Sequence, residues 1–184
     1  MRRIKIRDGQ RTPPGEWDEV IVAMGEGGDR VATPVYTPEP EYNTLRNRVK
    51  ALIRKGFRKW EVGDLAALRM LKSFGIDDIT ADWTLYAFNS SALAALSKLG
   101  VKRFVASPEN SRENLRYFAE SGYPVEFLSQ QSTPLFISRV KPAEQEDFAV
   151  FERDGLYVTT RKTPREFFVP SGADERVDLS WSPE

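Results

Sequence analysis

The chain has 184 residues, in which 27 basic and 27 acidic side chains cancel, and it contains neither cysteine nor histidine. Those two absences exclude thiol nucleophiles, disulfides, cysteine-held iron–sulfur clusters, imidazole bases and the usual zinc ligands. Proton transfer is left to Asp, Glu, Lys and Tyr, any metal to a hard oxygen site with no spacing motif here, and the balanced charge gives no global pull toward nucleic acid or anionic membrane.

At 40% hydrophobic residues the chain can bury one good core. Arg3-Ile4-Lys5-Ile6-Arg7 alternates as an edge strand does, Asp8-Gly9 follows as a hairpin turn, and Thr12-Pro13-Pro14-Gly15 reads as linker. Glu19 to Met24 is predicted as a strand, Gly25 to Gly28 as a flexible turn, and Val31 to Tyr36 as an extended segment closed by Pro38-Glu39-Pro40. Between Glu41 and Lys55, residues Tyr42, Leu45, Val49, Leu52 and Ile53 recur at helical spacing, and Gly56 stands where helices end.

A cycle then sets in. Phe57 to Val62 is a strand, Asp64 caps a helix carrying Leu65, Leu68, Leu71 and Phe74, and Gly75 stops it. Asp78 to Asp82 is the next strand, Asn89 or Ser90 the next cap, Ala92 to Leu99 the helix and Gly100 its end. Val101 to Ser107 repeats the strand, Asn110-Ser111 precedes a helix through Leu115, Phe118 and Ala119, and Val125 to Leu128 follows Gly122. Beyond Pro142 the pattern alternates, at Phe148 to Phe151, at Leu156 to Thr160 after an Asp154-Gly155 turn, and at Glu166 to Val169.

Strands joined by single helices demand parallel pairing. A complete (β/α) barrel needs about 250 residues. The predicted class is therefore α/β, with parallel (β/α) units of an incomplete TIM-barrel-like domain and a small C-terminal β appendage. The division is 1–40 for N-terminal strands and linker, 41–142 for the repeat core, and 143–184 for the appendage. Strand edges left open by such a barrel predict a homo-oligomer or a barrel-completing partner. No long apolar run follows Arg2-Arg3, so neither signal peptide nor membrane span is expected, and the cytoplasm is the default location.

The blocks Asp82-x-Thr84-Leu85-x-x-x-Asn89-Ser90, Leu99-Gly100-Val101-Lys102-Arg103, Ser107-Pro108-Glu109, Pro134-Leu135 and Ser138-Arg139 succeed one another in order between Val62 and Val140. In this the chain resembles the collagenase-like peptidase family, with a weaker echo in Asp178-Leu179-Ser180. The resemblance implies a barrel-type α/β fold and a nominal peptidase activity of unassigned mechanism. It also implies kinship with radical or hydroxylating enzymes that act on RNA or quinone precursors with an iron–sulfur cluster. This chain departs from the pattern: Thr80 and Gln130 stand where family members often show His, and Lys141 where a cluster-binding Cys is usual. No cluster can be built without cysteine, so no cofactor is expected.

Glu61, Asp64, Asp82, Thr84, Asn89, Ser107, Glu109 and Gln130 fall at or just after the ends of predicted strands, which in a barrel converge on one mouth. One reading pairs Asp82 with Glu109 for proton transfer or a hard cation, with Thr84, Asn89, Ser107 and Gln130 orienting a substrate. The other makes Asp64, Asn89 and Ser90 helix caps, ties Asp82 to backbone donors and sets Glu109 at a helix start. Arg139, beside Ser138, can hold a carboxylate or phosphate, or brace the rim. Ser138 has no His partner, and with Lys141 it does not define a serine protease. Arg46, Arg48, Lys50, Arg54, Lys55, Arg58 and Lys59 form the dense basic cluster, readable as a solvated helix face or as a surface for RNA phosphates. Trp60, Trp83 and Trp181 fit core or subunit contacts better than ring stacking. The functional expectation is a hydrolytic, peptidase-family barrel protein acting on a peptide or small molecule. Its alternative is a non-catalytic module that grips a peptide, RNA or a partner subunit.

Overall fold

A computed structural model describes residues 1–7, 9 and 11–128, with the backbone of strands at 134–138, 150–153, 156–159, 161–162 and 167–170. The chain divides into two compact units, Met1–Phe127 and Leu128–Glu184.

The first unit is one parallel sheet whose strands lie side by side in chain order: β1 (Arg3–Arg7), β2 (Glu19–Ala23), β3 (Arg30–Ala32), β4 (Lys59–Val62), β5 (Asp78–Ala81), β6 (Arg103–Val105) and β7 (Val125–Glu126). Helices α1 (Tyr42–Arg54), α2 (Leu65–Ser73), α3 (Ser90–Lys98) and α4 (Arg112–Glu120) fill the last four connections. Their starts follow from local chemistry. Asp64 accepts from the Ala67 N–H at 2.7 Å, Asn89 from Ala92 at 2.9 Å and Ser111 from Asn114 at 3.1 Å, each quenching an orphan amide of the first turn. At the end of α2, Gly75 takes the left-handed φ of +72° that turns the chain back toward β5.

Two N-terminal connections differ from the sequence reading. β1 pairs with β2 in parallel, Arg3 opposite Glu19 and Arg7 opposite Ala23, so the two strands are not the arms of a hairpin. The parallel register is the one that sets Arg3 beside a carboxylate, and β1 is indeed an edge strand. The return from β2 to β3 takes only residues 24–29 and carries no helix. Such a short crossover is rare, and it works because both strands are short and the segment lies directly on β2. A Cβ at Gly28 would come within 2.6 Å of Val22 Cγ2 and 2.7 Å of the Val20 carbonyl oxygen. Hydrogen bonds from Asp29 N–H to Val20 O (2.8 Å) and from Met24 N–H to Ala32 O (2.9 Å) fasten both ends.

Period-two alternation sorts each strand into two faces. Val31, Trp60, Val62, Ile79, Ala81 and Phe104 share one face, and the helices add Leu45, Val49, Leu52, Leu68, Leu71, Leu93 and Phe118 to the same buried core. Arg30, Glu61, Thr80 and Arg103 share the other face, which is charged. A flat sheet of this strand number would hold β1 and β7 roughly 29 Å apart at the usual strand spacing. Instead the Arg3 guanidinium on β1 pairs with the Glu126 carboxylate on β7, so the sheet is strongly curled and its charged face is concave.

In the second unit, β9 (Val150–Arg153) pairs antiparallel with β10 (Leu156–Thr159). β12 (Phe167–Pro170) lies antiparallel between β8 (Pro134–Ser138) and β11 (Arg161–Lys162).

Candidate functional site

Every strand of the curled sheet sends a charge to its concave side. Toward the strand starts, Arg30 is wholly buried: its Nε lies 3.1 Å from Glu19, its Nη2 donates to Asp78 at 2.8 Å, and its Nη1 to the Trp60 carbonyl at 2.9 Å. Arg3 donates to Glu19 at 2.5 Å and to Glu61 at 3.2 Å as well as to Glu126. Arg103 stands 3.6 Å from both Glu19 and Asp78, and 3.7 Å from Glu126. Buried ions are tolerable only with partners of this density, since each unpaired one carries a desolvation cost of several kcal/mol, on the order of that for moving an ion out of water.

Toward the strand ends the network opens. Lys5 Nζ sits between Glu61 Oε1 at 2.9 Å and Asp82 Oδ2 at 2.7 Å. The Lys5 side chain remains 38% exposed while those of Glu61 and Asp82 are 3% and 5% exposed. The other Asp82 oxygen accepts from the Trp83 N–H at 2.8 Å, and the Asp82 N–H donates to Val62 O at 2.9 Å. Burial lowers the Lys5 ammonium, but the charges of Glu61 and Asp82 outweigh it and hold its pKa above that of an ordinary lysine. Burial raises the Asp82 carboxyl, and neighbouring Glu61 adds to the rise, against the pull of Lys5. Four cations (Arg3, Lys5, Arg30, Arg103) thus face five carboxylates (Glu19, Glu61, Asp78, Asp82, Glu126).

Thr80 lies in the register row between Glu61 and Arg103, is fully buried, and its hydroxyl has no partner among the described residues. Around the rim, the Thr33 hydroxyl accepts from Gly63 N–H at 3.2 Å and Thr84 donates to Gly63 O at 2.8 Å. Gly63 is required there, because a Cβ would fall 2.7 Å from Val35 Cα.

Of the residues that sequence placed on the rim, Asp82 is in the charged mouth and Ser107 is buried at its strand end, accepting from the Glu109 N–H at 3.2 Å. Thr84 spends its hydroxyl on Gly63, and Asp64 and Asn89 are helix caps. The Glu109 side chain is exposed, and among the described residues no hydrogen bond or ion pair joins it to Asp82. Gln130, Arg139, Lys141 and Trp181 lie outside the described residues, as does the Ser138 side chain. Trp60 is fully buried and donates to the Phe57 carbonyl at 3.2 Å, and Trp83 meets Tyr86 edge to face at 6.0 Å. On α1, Arg46 and Lys50 lie over the Phe74 ring at 5.5 and 5.7 Å.

The residues that sequence reasoning passes over are Arg3, Lys5, Glu19, Arg30, Asp78, Arg103 and Glu126. Their signal is faint: Lys5 and Glu126 stand between apolar neighbours, whereas Arg3, Glu19, Arg30, Asp78 and Arg103 each follow another charged residue and read as the solvated start of a strand. Chemically, the mouth offers a protonated ammonium to an incoming anion and two carboxylates to an incoming cation. Among the described residues no group of three or more carboxylates comes together as a metal site, and no helix is long and apolar enough to cross a membrane. No family model matches the chain, and neither curated proteins nor solved structures supply a match.

Proposed function

We propose that this chain is a binding protein built on the ground plan of the collagenase-like peptidases. In this reading the curled sheet is a seven-stranded variant of the TIM-type barrel, and its mouth receives a small zwitterion such as an amino acid or a peptide end. The observation that carries the reading is Lys5, partly exposed between Glu61 and Asp82 at 2.9 and 2.7 Å. A ligand carboxylate takes the one remaining donor of the ammonium, and a ligand amine adds to the unused lone pairs of the two carboxylates. Burial makes those charge-assisted bonds count for more than they would in water. The resemblance in sequence between Val62 and Val140 supports the same ground plan.

Binding is favoured over hydrolysis by the state of the groups. Lys5 is held protonated, so it serves neither as base nor as nucleophile. Both Asp82 oxygens already accept bonds, and Glu109 stands exposed. The hydrolytic reading keeps one supporting observation, the raised Asp82 carboxyl, which suits a general acid.

The test is calorimetric titration with a dipeptide, run beside a cleavage assay on a peptide pool. Wild type, Lys5→Met and the Asp82→Asn, Glu109→Gln double variant are compared. The binding reading predicts saturable uptake weakened about tenfold or more in Lys5→Met, with no turnover. Cleavage abolished in the double variant would install the hydrolase instead, and absence of both would remove the mouth as a ligand site.

A further inference from the structure

Exposed apolar side chains gather on the rim of the mouth. Of the large ones among the described residues, Tyr36 lies on the β3–α1 loop, Leu65 opens α2 and Tyr86 lies on the β5–α3 loop, whereas Met1, Leu99 and Tyr117 stand elsewhere. Single exposed apolar residues are ordinary in folded proteins, but a group of them on adjoining loops marks a place of contact.

The three loops converge on Gly63. Its N–H donates to the Thr33 hydroxyl at 3.2 Å, its carbonyl accepts from Thr84 at 2.8 Å, and an added Cβ would meet Val35 Cα at 2.7 Å. Tyr36 follows Val35, Leu65 stands two residues beyond Gly63, and Tyr86 two beyond Thr84. The same hub adjoins the charges of the mouth. Glu61 lies two residues before Gly63, and the Asp82 N–H donates to the Val62 carbonyl at 2.9 Å.

Tyr86 is the best defined of the three. Asp82 caps the 3₁₀ turn Trp83–Leu85, its carboxylate accepting from the Trp83 N–H at 2.8 Å and its carbonyl from the Leu85 N–H at 3.0 Å. The carboxylate that holds Lys5 therefore also sets the turn that presents Tyr86. Tyr86 sits at φ +49° and ψ +47°, a left-handed backbone that glycine adopts freely and a bulky residue only under strain. A ring is held there nonetheless: Phe88 stacks on it at 5.6 Å, Trp83 meets it edge to face, and 49% of the residue stays exposed. The Asn114 side chain fixes this segment from α4, donating to the Phe88 carbonyl at 2.8 Å. Strained residues of this kind concentrate at ligand clamps, and a rigid, half-exposed ring offers a large contact area.

Given a zwitterion in the mouth, we infer that the rim selects one with a large apolar or aromatic side chain. The ligand's charges lie at Lys5, Glu61 and Asp82, and its side chain lies across Tyr36, Leu65 and Tyr86.

The experiment is calorimetric titration of the full chain with Phe-Gly and with Gly-Gly, read as the ratio of the two affinities. Wild type should prefer Phe-Gly by about tenfold or more, the gain from burying one aromatic side chain. The ratio should fall toward one in Tyr86→Gly, which relieves the strained backbone while removing the ring, and should fall in Tyr36→Ser. It should persist in Tyr86→Phe, which keeps the ring, and in Tyr117→Ser, an equally exposed position on α4. Saturable binding of both dipeptides without preference would overturn the selection and leave the mouth a zwitterion site, whereas no binding of either would remove both. A ratio unchanged in Tyr86→Gly, or lost equally in Tyr117→Ser, would also overturn it. Should Tyr86→Gly lose its native spectrum, Tyr36→Ser decides alone.

Discussion

Lys5 and Asp82 show how one strand position can reverse the meaning of a motif. Read alone, Arg3-Ile4-Lys5-Ile6-Arg7 is an edge strand with solvated cations, and Asp82 is a carboxylate awaiting a partner downstream. The fold joins the two at 2.7 Å across 77 positions of sequence. No local pattern announces that pairing, because it depends on how far the sheet curls. Asp82 itself is legible, since a carboxylate at the exit of an apolar strand is conspicuous. Its supposed partner Glu109 fails to join it because Ser107 and Glu109 form a local turn that leaves the Glu109 side chain outside.

Both members of the pair lower stability as pH rises, each in its own window. Lys5 has a raised folded pKa, so its contribution to stability is complete below about pH 10.5, the ordinary value, and is lost as pH climbs through the folded value. Urea unfolding of wild type and Lys5→Met should therefore diverge least at strongly alkaline pH and most below it. Asp82 also has a raised folded pKa, but as an acid: the folded state keeps its proton longer, so Asp82 subtracts stability as pH rises from about 3.9, its unfolded value, toward the folded one. Asp82→Asn should gain on wild type as pH increases through that window. A difference independent of pH would show that Asp82 is not held in this environment.

At the level of elements, helices α1 to α4 and strands β4 to β7 are legible because their cues are local: apolar spacing, a capping residue, a glycine stop. Capping explains Asp64 and Asn89 completely, which is why their removal should be a stability effect alone. Asp64→Ala should cost about 1 kcal/mol in urea unfolding and leave dipeptide titration unchanged, whereas weakened binding would return Asp64 to the mouth. The β1–β2 and β2–β3 connections are not legible, since a glycine-rich stretch looks like a flexible turn whether it is loose or wedged. Gly28 is wedged. Gly28→Ala should destabilise the chain by about 1–3 kcal/mol through overpacking against Val22 and the Val20 carbonyl, and a neutral result in the same unfolding assay would mean the return does not lie on β2.

For the whole molecule, the sequence announces α/β units and parallel pairing, yet it does not announce curvature, which arises from summed strand twist and from what the concave face must hold. That face carries ions rather than the branched apolar layers usual inside a barrel. Pairing them requires strands distant in order to approach one another: Lys5 of β1 reaches Glu61 of β4, and Arg103 of β6 reaches Glu19 of β2. Curl and charge network are thus one feature, and the mouth exists only because of it. Arg3 on β1 and Glu126 on β7 occupy opposite edges of the sheet, so the most direct test is a double-mutant cycle with Arg3→Met and Glu126→Gln, read by urea unfolding. The account predicts a coupling of about 1–3 kcal/mol, as for residues in contact. Additivity within about 0.3–0.5 kcal/mol, as for sites more than roughly 7–10 Å apart, would contradict it.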